Sequence, residues 1–357
     1  MTKYIYFFFV LALLCTVTDT AYAGNPDRQG EAGAYELLMN PWARSAGLHS
    51  MHTAGVSGVE ALRINVAGAA RVNKTQVNLS YADYLSGSGV SMSALGISQK
   101  IGKSGAVSLS MMSLDFGDIP VTTTAQPEGT GSTFSPSFVN LGLGYSHIFE
   151  NKVSVGVLVR AVNERIADLS ASTFAVDAGV QYVTGENDNF KLGISLRNVG
   201  GTLRFGGEGV IRPAIQPNGS LDYNLAIQER TAEFELQSQL NIGGSYDILF
   251  GNIHRVTIVG NFTSNAFSQD QFGGGLEYSF KDILVLRGGY RYEVGSTVNV
   301  DEAPLYTGVA GGFSLQLPLN KEAKDEGLFG TQLSIDYAYR ASKILGGTHN
   351  IGLRFDL

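Results

Sequence analysis

The sequence is poor in several residue types. Its 357 residues include one cysteine, one tryptophan and nine prolines, and only 16% are Asp, Glu, Lys or Arg, against an average of about 25%. So few charges exclude a nucleic-acid-binding protein, which needs a basic face. Continuous apolar runs of about 18 residues are missing too, which excludes a bundle of membrane helices. The chain is nevertheless 44% hydrophobic and therefore too apolar to be disordered.

Residues 1–23 have the pattern of a secretory signal peptide. Lys3 provides the positive start, residues 5–17 the apolar core, and residues 21–23 (Ala-Tyr-Ala) a cleavage site of small residues. Cys15 lies inside this segment and follows Leu14 rather than a small residue, so we expect no lipid anchor. Because residues 24–357 contain no thiol, they can form no disulfide, no cysteine metal site and no cysteine nucleophile.

From about residue 74 onward, apolar and polar residues alternate between turn clusters. Alternation with a period of two gives a strand one apolar and one polar face. Fourteen segments of mostly 10–13 residues show it, long enough for tilted strands to cross a bilayer. The segments are 75–84, 89–101, 105–116, 138–149, 153–164, 171–184, 190–200, 233–249, 254–264, 271–281, 283–294, 307–318, 329–340 and 348–357.

The connections between these segments differ in length at the two ends. One end has mostly tight turns, whereas the other carries long loops at 117–137 and 201–232. This asymmetry is typical of outer-membrane barrels, whose long loops face outward. The sequence therefore predicts an all-β fold: a transmembrane antiparallel β-barrel of about 14 strands over residues 73–357, located in the bacterial outer membrane and surrounded by its lipid.

Residues 24–72 do not alternate and are rich in small residues. A barrel of about 14 strands has a lumen that needs filling or gating, so we expect this segment, called the hatch below, to plug or underlie the barrel. Trp42 and the apolar residues 37–39 favour a packed segment. The alternative is a mobile periplasmic tail.

The sequence gives little indication of catalysis, metal binding or cofactor binding. His49 and His52 are three residues apart, but no carboxylate or cysteine accompanies them at ligand spacing. We expect no enzyme activity, no metal and no cofactor. Charged residues on the polar strand faces are predicted either to form an interior ion-pair network or to line a selective pore. They are Arg160, Arg197, Glu233, Glu235, Arg287, Arg291, Asp336, Arg340, Arg354 and Asp356.

Several motifs between residues 35 and 210 resemble the PorV/PorQ family, the FadL-like outer-membrane barrels associated with type IX secretion. The resemblance begins at residues 37–47 (LLMNPWARSAG) and continues at 64–68, where Val66 replaces the proline usual in the family. It is strongest at residues 116–119, 127–134 and 197–209.

The resemblance implies a barrel without catalysis that acts in type IX protein secretion. Its partners would be the translocon, the carboxyl-terminal signal domains of cargo, or proteins of the surface attachment complex. We expect the two long loops to form the partner surface, since loops on a rigid scaffold commonly carry binding. The candidate residues are Pro127, Glu128, Gly129, Thr130, Arg204, Phe205 and Glu208. Alternatives are a FadL-type channel for hydrophobic small molecules, which needs an apolar lumen pocket and a lateral strand opening, and a membrane-embedded hydrolase.

Overall fold

The computed structural model describes residues 24–150, 152–215, 224–251, 253–295, 304–319 and 331–357, in which fourteen antiparallel strands close into a barrel. The predicted signal peptide lies outside these residues. Each strand pairs with its sequence neighbours, and the last pairs with the first, so the barrel has no free edge. The barrel strands are β1 Thr75–Tyr84, β2 Val90–Ile101, β3 Gly105–Asp115, β4 Ser137–Phe149, β5 Val153–Ile166, β6 Leu169–Thr184, β7 Phe190–Gly200, β8 Gln239–Phe250, β9 His254–Asn265, β10 Gln271–Phe280, β11 Leu284–Glu293, β12 Tyr306–Pro318, β13 Gln332–Ser342 and β14 Thr348–Asp356.

The predicted fold is confirmed, with one segment misassigned. Residues 233–249 were expected to form one strand, but Glu233–Leu236 leaves the wall and pairs with Ala32–Gly33 and Leu203–Arg204. Strand β8 begins only at Gln239. Glu233 and Glu235 are therefore exposed outside the barrel wall rather than on its inner face. Alternation alone cannot reveal such a break, because both pieces are extended and share the same period.

The outer face of the barrel wall is apolar. In β5, Val155, Val157 and Val159 are 37–48% exposed, while the alternating Ser154, Leu158 and Arg160 are buried. An apolar surface of this size is unfavourable in water and stable against lipid acyl chains. In the described part of the chain, no helix is long and apolar enough to cross a membrane.

The two ends of the barrel differ as predicted. At the short-turn end, β2 and β3 are joined by residues 102–104 and β6 and β7 by 185–189. At the long-loop end, residues 116–136 join β3 to β4 and residues 201–238 join β7 to β8. Small strands within these loops are Ile119–Pro120 paired with Thr133–Phe134, Ile211–Ile215 paired with Asn224–Gln228, and Gly206–Gly207 paired with β6.

The hatch runs through the barrel from the long-loop end to the short-turn end. It begins with Gly24 beside Ser268 and Asp270, and it ends near the turn where Arg71 donates a hydrogen bond to the Lys152 carbonyl (3.3 Å). Its regular structure is limited to the helices α1 Ala43–Ala46 and α2 Ala61–Ile64, the short strand Ala32–Gly33, and 3-10 turns at Pro26–Arg28, Tyr35–Leu37, Gly58–Glu60 and Val66–Ala70.

Candidate functional site

Polar side chains of the barrel wall hold the hatch in place. With so little helix or strand, the hatch has many backbone carbonyls that lack a partner of their own, and buried carbonyls need one. Four wall side chains supply such partners by donating hydrogen bonds of 2.8–2.9 Å. These are Gln181 to Val56, Ser195 to Ile64, Arg160 to Leu62 and Asn350 to Pro41.

Glycines on the inner wall leave room for the hatch. A Cβ added at Gly156 would lie 2.7 Å from the carbonyl carbon of Val66, and one at Gly275 would lie 2.7 Å from Cδ2 of Leu48. A Cβ at Gly289 would lie 2.8 Å from Cε of Met51. Contacts this short would force the hatch or the wall to shift. Part of the high glycine content, 45 residues, therefore has a packing purpose.

Buried ion pairs reinforce the wall beside the hatch. Arg160 and Asp177 are 2.9 Å apart with side chains 3% and 4% exposed, and Arg287 and Glu277 are 2.6 Å apart with 1% and 4% exposed. Asp177 also accepts a hydrogen bond from the backbone of Asn198 (2.6 Å). The predicted interior ion-pair network is thus present on these strands.

A chamber of about 370 Å³ lies between the hatch and the long-loop end. Hatch residues Leu38, Met39 and Met51 give it an apolar floor, and Tyr84 and Tyr306 contribute aromatic faces from the wall. Its volume is within the range of small-molecule sites. Polar and apolar residues both line the chamber. A channel for hydrophobic molecules needs an apolar pocket in the lumen, and this lining meets that requirement only in part.

The charged groups around the chamber are mainly basic. Four arginines line it, Arg63, Arg197, Arg291 and Arg340, whereas Glu293 is the one carboxylate among its described lining residues. Three of these arginines donate to hatch carbonyls: Arg63 to Met39 (2.7 Å), Arg197 to Leu37 (3.2 Å) and Arg340 to Asn40 (3.2 Å). Among the described residues, no hydrogen bond or ion pair engages the Arg291 guanidinium.

His49 projects from the hatch toward these arginines. Its side chain is buried, and its ring lies edge-on to Tyr306 with centroids 5.6 Å apart. His49 and Ser50 both have left-handed backbone conformations, with φ of 52° and 64°, a strained arrangement for residues other than glycine. Burial, together with Arg291 and Arg340, lowers the pKa of His49 well below its ordinary value. The imidazole is therefore neutral at physiological pH.

A second depression lies on the lipid-facing side of the wall, across β14, β1, β2 and β3. Its volume is about 430 Å³, and its lining is apolar. Outward side chains of Leu79, Leu95, Met111 and Leu353 surround it. The depression shares no lining residue with the chamber.

The loop residues predicted to bind partners lie at the long-loop end, away from the chamber. Pro127, Glu128, Gly129 and Thr130 belong to the 116–136 loop, in which the Thr130 backbone donates to the Val121 carbonyl (2.8 Å). In the other loop, Arg204 pairs with Glu233 at 3.5 Å, Thr231 donates to the Phe205 carbonyl, and Glu208 is exposed.

Both loops border the β5–β6 turn. Asp168 in that turn lines a hollow with Val121 and Phe134 of the first loop, and it also lies against Gly207 of the second. The structure thus brings the two loops to the same side of the rim. Their role as a partner surface stays a prediction.

The histidines form no candidate metal site. In the described residues, no group of three or more His, Cys, Asp or Glu side chains could hold a metal ion. His254 and His349 lie instead at strand ends, each with Nδ1 2.8 Å from a tyrosine hydroxyl, of Tyr278 and Tyr337 respectively.

Comparisons with known proteins identify the fold. No protein-family model and no curated protein matches the chain. Among solved structures, a deltaS2S3 mutant of the monoaromatic hydrocarbon channel TodX is 14% identical with a TM-score of 0.52, covering 88% of this chain and 97% of its own. The monoaromatic hydrocarbon channel CymD is 13% identical with a TM-score of 0.51, and the match covers 90% of this chain and 97% of CymD. The toluene transporter TbuX of Ralstonia pickettii is 12% identical with a TM-score of 0.52, and the match covers 88% of this chain and 97% of TbuX.

The barrel with its inner hatch therefore has the fold of FadL-like outer-membrane barrels. At such identities the likeness concerns the fold alone. No sequence match supports the resemblance to the PorV/PorQ family, which stays a prediction.

Proposed function

We propose that the chain is an outer-membrane channel of the FadL type that admits small molecules with a hydrophobic body. The observation that carries this proposal is the chamber at the long-loop end. The hatch forms the floor of this chamber and occupies the lumen from there toward the short-turn end. A ligand entering from outside would reach the apolar floor formed by Leu38, Met39 and Met51. The shared fold with hydrocarbon channels supports this function over protein secretion.

An irregular part of the wall adjoins the chamber. The pairing of β12 with β13 shifts between Tyr306 and Ala310, and Gly308 between them has a φ of +90°. Residues 291–293 of β11 pair with β10, but the β11–β12 ladder ends at Tyr290 and Val309. Backbone pairing is thus irregular on both sides of β12 at the level of the chamber, and we infer that the wall opens there as a side exit, since such irregularities disrupt the ladder locally.

The hatch can be locked to test this function. The Cβ of Ala43 lies 3.4 Å from the position of a Cβ at Gly352 on β14, close to the separation of about 3.8 Å in disulfides. Ala43→Cys together with Gly352→Cys would join α1 to the wall. In cells lacking other channels of this type, we expect the wild-type protein to raise uptake of labelled toluene. The oxidised double variant should reduce it to background, because in this proposal the hatch must shift before a ligand can leave the chamber by the side exit.

The same variants provide the controls. A reductant should restore uptake, and each single cysteine variant should transport like the wild type, because the native chain has its one cysteine at position 15. Uptake that is no higher than in cells without the protein would contradict the channel function. Uptake that persists in the oxidised variant would show that the hatch does not gate the passage.

A second candidate, a component of type IX secretion, is favoured by the motifs at residues 116–134 and 197–209 and by their position. The loops that carry them border the same β5–β6 turn at the rim. We propose that these loops bind the translocon, cargo signal domains or the attachment complex.

A pull-down from detergent extract tests this candidate. Wild-type protein should capture a translocon component or secreted cargo, and replacing residues 127–130 by a Gly-Ser linker should abolish capture while leaving the barrel folded. A matched replacement of the short-turn residues 102–104 should not. Capture of neither partner, or an unchanged surface proteome in cells without the gene, would contradict this role.

A further inference from the structure

The arginines of the chamber imply a more specific ligand than a hydrocarbon. A neutral hydrocarbon cannot compensate the charge of guanidinium groups, and burying positive charge without a counter-charge is costly. Yet Arg291 and Arg340 both line the chamber, and Glu293 is the one carboxylate among its described lining residues. Charge on this side of the chamber is therefore incompletely compensated by the described residues.

Two buried nitrogens without a hydrogen-bond partner among the described residues belong to residues that line the chamber. They are Nε of Arg340 and Nε2 of His49, in residues that are 5% and 2% exposed. Arg291 makes no hydrogen bond or close ion pair with the described residues, although Glu293 and Tyr306 interact with it electrostatically. It is only half-buried, so its guanidinium can meet a ligand. A carboxylate accepts several such hydrogen bonds at once, and arginine matches its planar geometry.

The aromatic side chains of the chamber indicate which apolar group the ligand carries. Tyr306 and Tyr84 present aromatic rings, with the Arg340 guanidinium 5.0 Å from the ring centroid of Tyr306. Aromatic groups pair favourably with such rings in edge-to-face or offset contacts. The volume of about 370 Å³ is large enough for an aromatic ring together with its carboxylate.

We propose that Arg291 and Arg340 hold the carboxylate of a compact aromatic acid, whose ring lies against Tyr84 and Tyr306 above the hatch. This inference rests on the proposed channel function and specifies the ligand class of its chamber. His49 would contribute a further hydrogen bond to the carboxylate.

Benzoate and its neutral isostere benzamide test the proposal directly. Isothermal titration calorimetry on the purified full chain in detergent should show benzoate binding about tenfold or more tightly than benzamide, as expected for charge-assisted hydrogen bonds. Arg291→Gln should remove most of this preference, leaving the part due to Arg340, while keeping the affinity for benzamide. Arg291→Lys retains the positive charge but not the planar geometry, and it should keep part of the preference for benzoate over benzamide.

Control variants separate ligand binding from stability. Arg212→Gln changes an arginine in the 201–238 loop that is 72% exposed, and it should keep the preference for benzoate. Arg340→Gln also removes a hydrogen bond to the hatch, so Arg291→Gln, which breaks no such contact among the described residues, is the decisive variant. Hexadecanoate should fail to displace benzoate because it has no aromatic ring to lie against Tyr84 and Tyr306.

Three results would overturn the proposal: equal binding of benzoate and benzamide, a preference that survives Arg291→Gln undiminished, or displacement of benzoate by hexadecanoate. Equal binding of the two probes together with normal toluene uptake would contradict this inference alone. Failure of the uptake experiment, in contrast, would contradict the channel function itself.

Discussion

The side chains on the two faces of the barrel wall make different kinds of contact. The outer face of β5 carries Val155, Val157 and Val159, whose side chains meet no specific partner within the protein. The inner face of the same strand carries Arg160, which contacts Asp177 of β6 and the Leu62 carbonyl of the hatch, each at 2.9 Å. Outside, any apolar residue fits, whereas inside each residue has a particular partner. Substitutions should therefore be judged by polarity on the outer face and by individual contacts on the inner face.

The largest effect is expected from an inner ion pair. Asp177→Asn would leave Arg160 buried without a counter-charge and weaken the bond to the Asn198 backbone. Breaking a buried pair in this way costs about 3–5 kcal/mol. Urea unfolding of the barrel in lipid vesicles should show this loss of stability. A loss below about 1 kcal/mol would mean that water or another group compensates Arg160, and the inner face would then be less specific than its contacts indicate.

The next effect is expected on the outer face. Leu143 lies midway along β4 and is 59% exposed. Leu143→Arg would place a charge against the centre of the bilayer, where it costs about 2–4 kcal/mol. Leu143→Ile, the matched control, should leave vesicle unfolding unchanged because only polarity matters there. An arginine tolerated without loss would argue that this part of the wall does not face lipid.

A smaller effect should distinguish inner from outer glycines. Gly156→Ala would push a Cβ to 2.7 Å from the Val66 backbone, and such overpacking typically costs about 1–3 kcal/mol. Gly260 is exposed on β9, with no atom within 4 Å of an added Cβ. Gly260→Ala should therefore be neutral in the same unfolding assay. Equal responses of the two variants would contradict the tight fit between hatch and wall.

The outer face was predictable from the sequence and much of the inner one was not. Alternation located all fourteen barrel strands, because the outward positions need only be apolar. The same alternation placed Arg197, Arg291 and Arg340 on the inner face, but it could not show that they meet in one chamber, since their strands are far apart in sequence. The sequence does not distinguish Gly156 from Gly260. Only the structure shows that Gly156 packs against the hatch, because the path of the irregular hatch cannot be predicted from alternation.

The smallest effect should come from an ion pair that lies on neither face of the wall. Arg212 and Glu229 are 3.1 Å apart in the 201–238 loop, with side chains 72% and 52% exposed. Solvent-exposed pairs contribute only about 0–1 kcal/mol, so Glu229→Gln should shift unfolding far less than Asp177→Asn, although both remove one carboxylate charge. If the two variants proved equally destabilising, charge alone would explain the loss. A clear difference between them would show that enclosure between wall and hatch is what gives the inner ion pairs their importance.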